Sequence, residues 1–107
     1  KTVVVTEVDS PEGELRYQVS GQLFFASADV FAAAFEHHGH PVRVEIDMRD
    51  AHLWDLTGAA AVDKVVFRYR RQGAEVVLTG MNAASKTLVT RVGKHEKQHL
   101  PTGAGAH

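Results

Sequence analysis

Residues 42–58 read VRVEIDMRDAHLWDLTG, a strand pattern that runs into the start of a helix. Val42, Val44, Ile46 and Met48 alternate with Arg43, Glu45 and Asp47, the period-2 spacing of a strand with one buried face and one wet face. From Thr57 to Gln72 the period changes. Val62, Val65, Val66 and Tyr69 recur at helical spacing, and Lys64, Arg68 and Arg71 line another side. Either Asp55 or Thr57 suits the N-cap of that helix, and Gly58 is small enough for a neighbouring backbone to pass close by. The junction lies beyond the carboxyl end of a strand, where open α/β sheets meet their ligands and partners.

Upstream, SADVFAAAFEHH places Ala28, Phe31, Ala32 and Phe35 on one helical face, with Ser27 as N-cap and Asp29 in the first turn. Gly39 and Pro41 end this helix. Before it, TVVVTEV and LRYQVSGQL are extended segments separated by the turn-rich DSPEGE, so they predict a hairpin, with Leu15, Tyr17 and Val19 on one face. Downstream, AEVVLTG predicts a short buried strand. NAASKTLVTRV predicts a last helix, capped by Asn82, with Ala84, Leu88 and Val92 inward. The order β-β-α-β-α-β-α defines an α/β fold with a mixed sheet of about four strands and right-handed crossovers. Residues 1–93 form the domain, and the polar residues 94–107 are expected to be a flexible tail.

Composition narrows the function classes. The chain has 107 residues, the size of one domain, with 12 Lys and Arg against 13 Asp and Glu. A net charge of −1 gives no general attraction to nucleic acid. With no cysteine there are no disulfides or thiolate metal sites, and a cytoplasmic setting is the default. No apolar run reaches the ~18 residues that span a bilayer. The chain begins at Lys1 and enters a strand at once, which predicts a piece of a larger polypeptide.

The string VEIDMRDAHLWDLTGAAAVDKVVFRYRRQGAEVVLTGMNAASKTLV resembles the STAS domain, the module shared by sulfate transporters and anti-sigma factor antagonists. In antagonists of that family the loop reads Asp-Ser-Ser/Thr-Gly, and the resemblance implies a phosphorylated first Ser. Asp55, Thr57 and Gly58 match, but the phosphoacceptor position is Leu56, which has no hydroxyl; Thr57 is the neighbouring candidate acceptor. YQVSGQLFFASADVFAAAF is similar to the same segment of bacterial SulP-type anion transporters, where the domain is a C-terminal cytoplasmic appendage.

That resemblance implies a regulatory and protein-interaction domain on the cytoplasmic side of the bacterial inner membrane. Its partner would be the transmembrane domain of the same polypeptide, with another cytoplasmic protein as a further partner. Trp54, Asp55, Leu56, Thr57 and Gly58 would form the recognition loop, and Lys64, Arg68 and Arg71 a docking surface. The alternative is a free-standing anti-sigma factor antagonist.

Other motifs lead nowhere comparable. HEKQH (95–99) matches the zinc-peptidase pattern, but its surroundings lack a third ligand at metzincin spacing, where Thr102 and Gly105 stand. His37, His38 and His40 suit the negative end of a helix dipole. STAS domains have been proposed to bind nucleotides, yet the chain has no phosphate-cradling glycine loop. No nucleophile and base pair defines a reaction, so no catalysis, metal or cofactor is expected.

Overall fold

The computed structural model describes residues 3–35 and 39–90. Strands β1 (Val3–Val8), β2 (Glu14–Leu23), β3 (Arg43–Leu53) and β4 (Glu75–Thr79) form one sheet in the order β1-β2-β3-β4. β1 and β2 are an antiparallel hairpin, and β3 and β4 add in parallel. Helix α1 (Ala28–Ala33) connects β2 to β3, and α2 (Leu56–Arg71) connects β3 to β4. A further helix, α3, covers 83–90. The mixed four-stranded α/β architecture is the one the periodicities predict.

Leu15, Tyr17, Val19, Val44, Ile46, Met48 and Val76 point to the face that α1 and α2 cover, and all are buried. From α1 come Ala28 and Phe31, with Phe35 just beyond it. From α2 come Ala59, Val62, Val65, Val66 and Tyr69. The opposite face of the sheet carries its charges in pairs within β3 and across to its neighbours. Arg43 lies 3.1 Å from Glu45, 3.8 Å from Glu14 and 3.7 Å from Glu75. Such half-exposed pairs contribute about 0–1 kcal/mol each, so burial on the helical face carries the fold.

Three details depart from the periodic reading. Val42 precedes β3 and is exposed at the sheet's far end, where its amide donates to the Gly13 carbonyl and its carbonyl accepts from the Glu75 amide. α1 stops at Ala33, and Phe35 lies in a turn. The Phe35 carbonyl is taken by the Tyr69 hydroxyl at 3.1 Å and by Arg68 at 3.4 Å, so α2 satisfies a group that a longer helix would have used itself. On α3, Ala84 is exposed and Ser85 is buried instead, its hydroxyl accepting from the Leu53 amide at 3.4 Å. Asn82 does cap that helix, accepting from the Ser85 amide at 2.7 Å. Val92 and the HEKQH segment lie outside the described residues, as do His37 and His38.

The alternation of β3 also contains one fault. Gln18 pairs with Asp47 and Ser20 with Asp50, so Val19 stands opposite both Met48 and Arg49: a β-bulge. Buried positions are even before it (Val44, Ile46, Met48) and odd after it (Ala51, Leu53). Gly80, with φ +76°, closes β4 against the bulge; a Cβ there would meet the Arg49 backbone at 2.9 Å.

The Tyr17 and Tyr69 hydroxyls form a polar chain in the core. Tyr69 donates to the Phe35 carbonyl, which leaves Tyr17 as donor in the 3.3 Å contact between the two hydroxyls. Burial, first of all causes, raises the pKa of both phenols. Their folded values lie above the ordinary ~10, so their contribution to stability is complete below pH ~10 and is lost as pH rises beyond it. The urea midpoint should therefore stay level to about pH 9 and fall above about pH 10, and Tyr17→Phe should make that fall shallower.

Candidate recognition loop

The loop begins where β3 ends, and the bulge decides which side chains it shows. Had the even phase continued, Trp54 would face the helices; in the shifted phase Leu53 enters the core and Trp54 is 64% exposed. Leu56 follows at 50% exposed. Across from them, Phe25 in the β2–α1 connection is 70% exposed. The Phe24 ring lies between, 5.5 Å from Phe25 and 5.6 Å from Trp54, so these three rings form one aromatic patch.

The backbone under this patch is pinned by three hydrogen bonds. Asp55 is extended (φ −150°, ψ 174°), as an N-cap should be, and its Oδ1 accepts from the Gly58 amide at 2.8 Å. Its Oδ2 accepts from the Phe25 amide at 3.1 Å, tying the β2–α1 connection to the start of α2. The Trp54 amide donates to the Leu23 carbonyl at 3.0 Å. Gly58 lies against the same group: a Cβ there would sit 2.5 Å from the Leu23 oxygen and 2.9 Å from its carbon. The close approach expected at Gly58 is therefore to the end of β2. Of the two possible caps, Asp55 is the one used.

Ser27 occupies the N-cap position of α1, yet its hydroxyl makes no cap bond. It donates to the Gln22 carbonyl at 2.8 Å and accepts from the Phe24 amide at 3.1 Å, bracing the connection that carries Phe24 and Phe25. Thr57 is exposed on the first turn of α2, beside a shallow groove shared with Asp29 and Lys64.

The basic residues of α2 divide in role. Lys64 is exposed. Arg68 donates to the Ala32 and Phe35 carbonyls at 3.3 and 3.4 Å, which binds α2 to the end of α1. Arg71 sits over the Phe67 ring, 5.8 Å from its centroid. At the far end of the sheet, a depression of about 280 Å³ is lined by Glu7, Glu12, Glu14 and His40. Its carboxylates would repel a nucleotide phosphate.

The fold that carries this loop has counterparts in known proteins. The sequence model of the STAS domain matches residues 4–103. The chain belongs to the STAS family. Over 76 residues, 71% of its length, this STAS chain is 47% identical to "Putative sulfate transporter YbaR" of Bacillus subtilis (strain 168), and it spans 16% of that protein. It superposes on the STAS domain of an antisigma-factor antagonist from Rhodobacter sphaeroides with a TM-score of 0.73 at 46% identity, covering 80% of this chain and 95% of the other. A sulfate transporter family protein from Wolinella succinogenes shares the fold, with a TM-score of 0.66 at 23% identity over 83% of this chain and 74% of that one. No helix among the described residues is long and apolar enough to cross a membrane.

Sequence reasoning placed Trp54 to Gly58 together but missed Phe25 as their neighbour. The signal was present in the Phe24-Phe25 pair just before a capped helix. It also missed the internal engagement of Arg68, which spacing along one helix does not reveal.

Gly58→Ala should test the clamp. Alanine gains about 1 kcal/mol in helix propensity, but overpacking costs about 1–3 kcal/mol, toward the upper end where the obstacle is backbone. A net loss of about 1–2 kcal/mol is expected in urea unfolding, at unchanged m. Asp55→Ala should lose a similar amount, and Asp55→Asn less, since asparagine keeps the cap but offers the Phe25 amide no second carboxylate oxygen.

Proposed function

We propose that this STAS domain is the cytoplasmic regulatory and protein-interaction domain of a SulP-type inorganic anion transporter of the sulfate or bicarbonate class, without catalysis of its own. Leu56 carries this reading. It stands, half exposed, at the position where the antagonist pattern has its phosphorylated serine. A leucine beside Trp54 offers apolar contact area and no phosphoacceptor. The identity to the Bacillus relative over 71% of the chain supports the same branch. Asp55 orients the loop, Gly58 permits its close seating, and Thr57 offers a hydroxyl at the rim. Lys64 and Arg71 orient docking electrostatically, while Arg68 contributes mainly by holding α1.

A second reading has a specific observation in its favour: the match spans 95% of the Rhodobacter antagonist domain at 46% identity. On that reading the chain acts as a free-standing antagonist and Thr57 is the phosphoacceptor.

Fractionation of native cells and a blot with antibody against the domain separates the two. A band much larger than 11.7 kDa that resists carbonate extraction is expected. A small soluble band, or phosphate on Thr57 after incubation with partner kinases, would favour the antagonist. In the transporter, Asp55→Ala with Thr57→Ala should impair regulation of transport while the domain stays folded; unaltered regulation would remove the loop from this role.

A further inference from the structure

The end of the sheet that displays the loop is also the end at which β1 starts. Val3 pairs with Gly21, two residues before Leu23, and Leu23 pairs with Leu53. A polypeptide segment joined ahead of β1 therefore meets the domain beside Trp54 to Gly58. The same end carries the exposed Phe25, Trp54 and Leu56, on backbone already fixed by Asp55, Gly58 and Ser27. A patch that is rigid before contact loses little conformational entropy on docking.

The charges argue for the kind of surface that covers it. Arg70 and Arg71 lie in the last turn of α2, which approaches the far end of the sheet. Beside the patch, Asp29 and Lys64 line the same groove at Thr57, so their opposite charges offset one another. An anionic bilayer would attract the last turn of α2 more than the loop end, where Lys64 is offset by Asp29. An apolar protein surface suits the loop end.

We infer that Phe25, Trp54 and Leu56 dock onto an apolar cytoplasmic surface of the membrane domain that precedes this domain in the same polypeptide, so that the tethered end is the docked end. This rests on the transporter reading and adds which surface makes the contact.

The test uses the complete polypeptide in native membranes, with p-benzoylphenylalanine replacing Phe25, Trp54 or, as a distal control, Phe67. The blot of intact size and carbonate resistance comes first and reports on the transporter reading alone. On irradiation, positions 25 and 54 should each give crosslinks mapped by mass spectrometry to the membrane domain, several-fold more than position 67. A membrane-integral polypeptide whose positions 25 and 54 crosslink only to lipid, only to another protein, or no more than position 67 would overturn the docking while leaving the transporter reading in place. A small soluble polypeptide would overturn both. Using two positions guards against local disturbance of the Phe24 and Trp54 rings by one replacement.

Discussion

The approach of Gly58 to the Leu23 carbonyl is the constraint on which the recognition end of this domain depends. No side chain fits between the first turn of α2 and the end of β2, so the helix starts directly against the sheet. Once there, its N-cap Asp55 reaches the Phe25 amide with its second oxygen, and the β2–α1 connection is drawn to the same point. Two segments distant in sequence, the end of β2 with the connection that follows it and the start of α2, thus share one anchor. The aromatic patch above it has a fixed shape because the backbone beneath it is fixed.

A second device, the bulge between Met48 and Arg49, decides what the anchor displays. One extra residue changes the phase of β3, sending Leu53 inward and Trp54 outward. Without it the same sequence would bury an indole under α2 and present a leucine. The far end of the domain is organised differently, by polar contacts: the Tyr17 and Tyr69 hydroxyls, the Phe35 carbonyl and Arg68 join β2, the end of α1 and α2. The molecule therefore has an apolar display end and a polar-bonded end, with charge on the later turns of α2.

Much of this was legible in the residues. Alternation in β2 and β3, the helical spacing of Val62, Val65, Val66 and Tyr69, and the caps at Asp55 and Asn82 are local signals, and the structure keeps them. Gly58 was legible as a place of close approach, though not what approaches it, because Leu23 lies far away in sequence. The extent of α1 was misread for a related reason. Phe35 keeps its inward position, but its carbonyl bonds to α2, a tertiary contact that periodicity does not encode. The bulge left only a faint trace, two adjacent polar residues, Arg49 and Asp50, within an otherwise alternating run. That Arg68 also bonds the end of α1 was not legible, because surface spacing along one helix does not show what a guanidinium reaches on another.

Amide hydrogen exchange by NMR tests the anchor most directly. In the wild-type chain the Phe25, Trp54 and Gly58 amides should be protected, although two of these residues have exposed side chains, because each amide has an acceptor in Asp55 or Leu23. In Asp55→Ala, protection should vanish at Phe25 and Gly58 and persist at Trp54, whose acceptor is the Leu23 carbonyl. Exchange of the wild-type Phe25 and Gly58 amides at the rate of an open loop would contradict the account, since the patch would then have no fixed backbone beneath it.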